Sequence, residues 1–420
     1  MLPVGPSDPG ICPQEPPPDS EGMVLAESDG AAQESPVTQT HERQNQMTNE
    51  FAVDLPDIEF GVAQSPDEIG KPEADAKDVA VKFGFIGAGQ GGNRLADAFY
   101  SIGYRRVCAV NTTSQDFLGL TIPSKNQRVL ESPGGAGKDP ELGAKVLAKS
   151  SEEVLSLMRQ SFGADVDHII VTAGAGGGTG TGFAPGLVKL ARYYLQQLGK
   201  EPRVGMVVAL PKKAEGGKVQ ANAYKLMSAL APEADAKAIS PFVIVDNECI
   251  YNMFPALSAK AFWATANKNV AGLFDIFNVL AKQQSAYVTF DRADYQSVLD
   301  SGVLVFGATK LESYRQETEI SDGLRKNLSR TLLAEADIKQ ASHVAAILCA
   351  PDEILSVMPQ SHIDHAFTTL ERILGGEAKD LVIHQGVYEA KRAGLFLYTM
   401  VGGLTVPKAR LEIMKSKAGV

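Results

Sequence analysis

The run HIIVTAGAGGGTGTGFAPGLVKLAR, His168 to Arg192, sets an apolar strand against a glycine loop and then a helix. Six of the nine residues from Gly174 to Gly182 are glycine. Glycine lets backbone N–H groups turn inward at φ values other residues resist, and a helix expected to begin near Gly182 aims its positive end at whatever those amides bind. Gly176, Gly177, Gly178 and Gly180 supply the amides, and Thr179 and Thr181 add hydroxyls. The stretch therefore reads as a phosphate cradle. A flexible turn is the bland alternative, but it does not need six glycines between a strand and a helix.

At 420 residues the chain is long enough for two domains plus accessories. No apolar run is long enough to span a bilayer, and the start MLPVGPSDPG has neither the charged residues nor the apolar stretch of a signal peptide. Cys12, Cys108, Cys249 and Cys349 are scattered without CxxC spacing, which points to a reducing cytoplasm and away from disulfides or a zinc knuckle. His362 and His365 are spaced for one helix face, but with no cysteine or third histidine nearby they read as a solvated surface.

The net charge of −10 is unevenly placed. Residues 1–78 hold seventeen acidic against three basic side chains, a balance of −14, so the remainder carries 37 basic against 33 acidic, or +4. Eleven of the 23 prolines lie in the same segment. With little apolar periodicity it cannot offset its ordering entropy, and a disordered acidic tail is expected over 1–78. Within it FAVDLPDIEFGV, Phe51 to Val62, mixes acids with apolar anchors, so it reads either as a segment for an unknown protein partner or as plain solvating chain.

From Val79 onward strands alternate with helices. VKFGFIG (81–87), RVCAVN (106–111), DHIIVTAG (167–174), RVGMVVALP (203–211) and FVIVDN (242–247) are apolar throughout, with helical segments such as ELGAKVLAKSSEEVLSLMRQSF between them. This pattern predicts an α/β fold with a doubly wound parallel sheet, whose ligand lies beyond the carboxyl ends of the strands. GAGQGGN, Gly87 to Asn93, matches GxGxxG, which alone would suggest a nicotinamide cofactor. The next strand ends in Asn111, however, where such a site needs an acid for the ribose hydroxyls. A P-loop reading also fails, because the Gly137–Lys138 pair is followed by Asp139 and lacks the upstream glycine.

Taken in order, these loops resemble those of the tubulin and FtsZ superfamily. AGQGGN resembles the tubulin form of the first loop, with Gly89, Gln90, Gly91 and Asn93 at nucleotide-binding positions and Gln90 near the metal and phosphates. NTTSQ, beginning at Asn111, is similar to the second loop, and GAGKDPELG, with Gly135, Ala136 and Gly137, to the third, which senses the γ-phosphate. GGGTGTG, Gly176 to Gly182, matches the fourth, and PKKAEGG puts Glu215 at the ribose-contacting acid of the fifth. DNECIY puts Asn247 at the guanine-reading asparagine of the sixth. The resemblance implies GTP/GDP as ligand and Mg2+ held near Gln90 through phosphates and water. Asparagine amides complement the guanine edge, so Asn247 and Asn267 suit that base, while Trp263 stands where tubulins have a stacking tyrosine, one turn from Asn267. A plain core aromatic is the other reading of Trp263.

A helix expected over 258–283 carries Trp263 and Asn267 and ends before TFDRAD, Thr289 to Asp294. The rise from Asn267 to Lys282 is about 22 Å at 1.5 Å per residue, so Asp291 and Asp294 cannot easily reach their own chain's nucleotide. Two acids at this spacing are ordinarily a helix N-cap and a first-turn residue. The family pattern NxDxxD nevertheless aligns its catalytic acids with Asp291 and Asp294, implying hydrolysis in trans within a head-to-tail homopolymer.

The expected organisation is a disordered tail (1–78), a GTP-binding domain (79–257), a central helix (258–283), an α+β activation domain (284–407) with DLVIHQGVYEAK and AGLFLYTMVGG as paired strands, and a short basic tail (408–420). Thr289 replaces the asparagine and Val219 the arginine of FtsZ, and neither the long linker nor the anchoring peptide of FtsZ is present, so the resemblance is to phage tubulins, TubZ or CetZ more than to typical FtsZ. The expectation is a cytoplasmic, filament-forming GTPase with no membrane span and no indicated nucleic-acid binding. A non-hydrolysing structural or nucleotide-sensing relative, and a nicotinamide-dependent oxidoreductase, are the alternatives.

Overall fold

The computed structural model describes residues 75–253, 258–311, 313–329, 336–375, 380–391 and 393–419. The acidic segment expected to be disordered, Phe51 to Val62 included, lies outside them up to residue 74. Among the described residues no helix is long and apolar enough to cross a membrane.

The strands are β1 (Phe83–Ala88), β2 (Val107–Asn111), β3 (Gln127–Val129), β4 (His168–Gly174), β5 (Val204–Leu210), β6 (Phe242–Asp246), β7 (Val303–Leu311), β8 (His343–Ala350), β9 (Val382–Glu389) and β10 (Leu395–Leu404). They form one continuous sheet in the order β3-β2-β1-β4-β5-β6-β7-β10-β8-β9. The helices are α1 (Gly89–Ser101), α2 (Pro140–Lys149), α3 (Ser151–Phe162), α4 (Thr179–Gln197), α5 (Gly217–Asp235), α6 (Asn247–Met253), α7 (Ala259–Leu280), α8 (Arg292–Leu299), α9 (Glu317–Ser329), α10 (Asp352–Leu355), α11 (Gln360–Leu374) and α12 (Lys408–Ala418).

Neighbouring strands from β3 through β6 pair in parallel, as the alternating pattern predicts. All six residues of β1 are buried, and successive residues face opposite sides, so both faces of the sheet are covered. The two halves of the fold are joined by a short parallel pairing of β6 with β7, Phe242 opposite Val303. Helix α7 seals that junction. Its Phe274 meets Phe99 at 5.7 Å and Phe306 at 5.1 Å, ring centre to ring centre, bridging the first domain and the second. Its last turn is tied to the amino end of β1, where the Asn278 side chain exchanges both hydrogen bonds with the backbone of Val81.

Four local expectations change. The helical run 141–162 breaks at Ser150, which leaves helical geometry at φ −109° and ψ 18°, into α2 and α3, and the Ser151 hydroxyl donates back to the Ala148 carbonyl at 3.2 Å. β9 and β10 are not partners. β8 lies between them, pairing in parallel with β9 and antiparallel with β10, so proximity in sequence misleads. Asp75 to Asp78, assigned to the tail by composition, pack on the first domain: Asp75 pairs with Arg106 at 2.5 Å, both 6% exposed, and Lys77 with Asp275 at 2.6 Å. The expected basic tail is helix α12, docked on α5.

Candidate functional site

A cavity of about 390 Å³ opens beyond the carboxyl ends of the parallel strands. Every loop around it follows a strand: Ala88 to Gly91 after β1, Asp116 after β2, Ala136 to Lys138 after β3, Gly174 to Gly180 after β4, and Glu215 with Val219 after β5. Five separate loops therefore converge where an open α/β sheet places its ligand.

Gly178 and Gly180 are required by close approach of neighbouring backbone. A Cβ on Gly178 would sit 2.8 Å from Ala136 and from the Asp139 nitrogen, and one on Gly180 would sit 2.7 Å from the Gly174 carbonyl oxygen. Helix α4 starts at Thr179, three residues before the expected Gly182, because the loop enters the helix as soon as it clears Gly178. The unpaired first-turn N–H groups are thus those of Thr179, Gly180 and Thr181. The Thr179 and Thr112 hydroxyls lie 2.7 Å apart, and Thr112 also accepts the Ala136 N–H, linking the second, third and fourth loops. Thr181 does not face the cavity. It is fully buried and its hydroxyl accepts the Gly176 N–H at 2.9 Å, so it shapes the loop from behind.

Gly89, Gln90, Gly91, Ala136, Gly137, Gly176, Gly177, Gly178, Thr179, Gly180 and Glu215 all line the cavity. Asn93, Asn111 and Gly135 do not line it. Asn93 is buried and donates to the Val110 carbonyl, while Asn111 is buried and donates to Asp116 at 3.0 Å. Glu215 accepts the Lys212 N–H and so closes its own loop. Asp139 caps α2, and the N–H of Leu142, first among its partners, holds its carboxyl below the usual range.

Sequence reasoning missed four contributors. Asp116 reaches the cavity and accepts from both Gln90 (3.1 Å) and Asn111. Lys138, set aside because its motif fails the P-loop spacing, is brought to the rim in a left-handed conformation at φ 61°. Asn222 of α5 donates to the carbonyls of Lys138 (3.0 Å) and Gly176 (3.1 Å), tying the third loop to the fourth. Gln220 holds the fifth through the Lys212 carbonyl. A lysine beside three glycines was the one advance signal among these; Asn222 acts across 84 and 46 positions, and Gln220 across eight but with no motif to mark it.

Asn247, Trp263 and Asn267 do not line the cavity. Asn247 is 8% exposed at the start of α6, and Trp263 and Asn267 lie one turn apart on α7, Trp263 exposed and edge-on to Phe262 at 5.0 Å. Asp291 and Asp294 stand near the amino end of β4, away from the cavity. Arg292, between them, pairs at 3.1 Å with Asp167, which precedes β4 at its amino end, whereas the glycine loop follows its carboxyl end. The two acids also form the capping box anticipated for their spacing.

The family described as Tubulin/FtsZ family, GTPase domain, matches residues 82–255. The Tubulin-like protein TubZ of Bacillus cereus is 28% identical over 275 residues, which is 61% of this chain and 61% of that relative. The GTPγS-form protofilament structure of TubZ from Bacillus thuringiensis serovar israelensis superposes with a TM-score of 0.69 at 20% identity, over 82% of this chain and 92% of that one. CetZ2 from Haloferax volcanii, solved as a GTPγS-bound protofilament, gives 0.66 at 22% identity, over 80% and 98%. With its loops in family order around one cavity and the shared α/β fold, the chain carries a Tubulin/FtsZ family GTPase domain over residues 82–255.

Proposed function

We propose that this protein binds GTP in the five-loop cavity, polymerises head to tail in the cytoplasm, and hydrolyses GTP when one subunit's acids meet the nucleotide of the next. The observation that carries this reading is that the glycine loop follows the carboxyl end of β4 whereas Arg292, between Asp291 and Asp294, pairs with Asp167 before its amino end. A subunit stacked on its copy would bring the acid end of one against the glycine end of the other, and such a contact does not close, so it extends into a filament. That TubZ and CetZ2 were solved as protofilaments supports the polymerisation part of this reading.

In this reading the first-turn amides of Thr179 and Gly180, aided by the α4 dipole, hold the phosphates. Ala136, Gly137 and Lys138 approach the γ-phosphate side, Glu215 the ribose, and Asn247 and Asn267 the guanine edge, with Trp263 over the ring. The Asp116 carboxylate, which accepts from the Gln90 amide nitrogen at 3.1 Å, and the Gln90 amide oxygen would hold Mg2+ indirectly, through water and phosphates, and the ion would there offset phosphate charge. Asp291 and Asp294 orient water and accept its proton at the neighbour's γ-phosphate.

Phosphate release and sedimentation with GTP and with ATP test the reading. Asp294→Ala should bind GTP and assemble, yet hydrolyse about 10²- to 10⁴-fold more slowly. Mixed, at limiting GTP, with Gly178→Val, which binds nucleotide weakly and is then left largely empty, it should recover activity at mixed contacts. Wild-type hydrolysis by polymerised Asp294→Ala would remove the in-trans step, and polymer without turnover in the wild type would make the chain a structural relative.

A further inference from the structure

Strand β9 grips the segment that carries the acids. The Ser285 hydroxyl donates to the Val387 carbonyl, and the Val387 N–H donates to the Val288 carbonyl at 2.9 Å. The Tyr388 hydroxyl accepts the Phe290 N–H at 2.8 Å and donates to the Phe290 carbonyl at 2.9 Å. Four residues earlier on the same strand, His384 Nδ1 lies 2.8 Å from Asp294 Oδ1, and its Nε2 lies 3.2 Å from the Ser297 hydroxyl. A carboxylate only accepts, so Nδ1 donates its N–H to Asp294, and Nε2 shares a hydrogen bond with the Ser297 hydroxyl. The imidazole is only 15% exposed.

The two acids are consequently held differently. Asp294 spends Oδ1 on His384 and Oδ2 on the Asp291 N–H at 3.1 Å, so both of its oxygens are fastened. Asp291 uses Oδ1 for the N–H groups of Ala293 and Asp294, and its Oδ2 has no partner among the described residues. A carboxylate at an exposed helix start would otherwise sample several rotamers.

We propose that His384 is a positioning residue for hydrolysis: it fixes the Asp294 carboxylate in the one orientation that also fastens the Asp291 backbone, so that both acids meet the neighbouring subunit preset. This rests on the reading that these acids complete hydrolysis in trans. A preset carboxylate needs no reorganisation when charge develops, and a misplacement of about 1 Å costs on the order of 10²-fold in rate.

The test compares His384→Ala, His384→Asn and His384→Gln in the full chain. The Asn amide can stand where Nδ1–H donates to Asp294, whereas the longer Gln amide replaces the Nε2 side that meets Ser297. His384→Ala should keep GTP affinity and the polymer mass pelleted with GTPγS, while phosphate release per polymerised subunit falls about 10- to 100-fold. His384→Asn should recover most of that loss and His384→Gln little, and adding His384→Ala to Asp294→Ala should slow hydrolysis no further. A slow Asp294→Ala together with a His384→Ala at the wild-type rate overturns the positioning role alone. A wild-type rate in Asp294→Ala overturns the in-trans reading beneath it. If His384→Ala does not fold, Asn and Gln still decide: equal rates in the two overturn the proposal, and Asn clearly ahead of Gln supports it.

Discussion

Replacing Arg410 by Met tests whether the last helix belongs to the nucleotide-binding domain. Arg410 Nε donates to Asp246 Oδ2 at 2.7 Å and Nη2 to the Pro211 carbonyl at 2.6 Å, so α12 fastens the end of β6 and the start of the fifth loop together. The two side chains are only 7% and 5% exposed, and Asp246 Oδ1 also accepts the Glu248 N–H at the first turn of α6. Arg410→Met leaves that carboxylate buried without its cation, a loss of about 3 to 5 kcal/mol. For a domain of about 150 to 250 residues each kcal/mol moves Tm by about 2 to 4 °C, so the midpoint should fall by roughly 6 to 20 °C. The pair is screened little by solvent, and added salt should hardly change the difference. Arg410→Met with Asp246→Asn keeps an acceptor for Glu248 and strands no charge, so it should regain at least half of the loss. Calorimetry on the nucleotide-free protein at fixed pH reads both. A single variant within about 2 °C of wild type, or a double variant no better than the single, would refute the buried-pair reasoning.

Gly178→Val drives a side chain into Ala136 and Asp139, and with strain of about 1 to 3 kcal/mol GTP should bind roughly 10- to 100-fold more weakly by titration calorimetry while the fold persists. Asn247→Ala should weaken GTP by about 1 to 3 kcal/mol and ATP far less in competition assays, and equal weakening would mean that Asn247 does not read the base. His168 is fully buried, its Nε2 proton committed to the Ser240 carbonyl, and burial pushes its pKa down from 6.5 to about 4. The unfolded chain therefore takes up the proton first: this contribution is complete above about pH 6.5 and roughly 3 kcal/mol of it is lost as pH falls to 4. His168→Gln, which keeps a donor for Ser240, should flatten that part of the urea-midpoint profile, and an unchanged slope would place the titration elsewhere.

The order of strands and helices in the first domain, and most of the phosphate cradle, were legible in the sequence for a local reason. Hydrophobic period and glycine spacing act over a few residues, so β1, β2, β4, β5 and β6 and the cavity-lining glycines could be read directly. The spacing of Asp291 and Asp294 likewise contained the capping box they form. What the tertiary structure alone decided depends on residues far apart in the chain. Lys138 and Asp116 reach the cavity, and Asn222 ties two of its loops, only because three loops converge. β8 slips between β9 and β10, and Arg410 finds Asp246 across 164 positions. Asp75 pairs with Arg106, and His384 meets Asp294 across the end of the sheet. A charge or amide leaves water only where a complementary group is already waiting, and a sequence states which groups exist but not the distances between them. Composition could therefore mistake Asp75, Lys77 and Arg410 for tail residues, since the partners that hold them lie elsewhere in the chain.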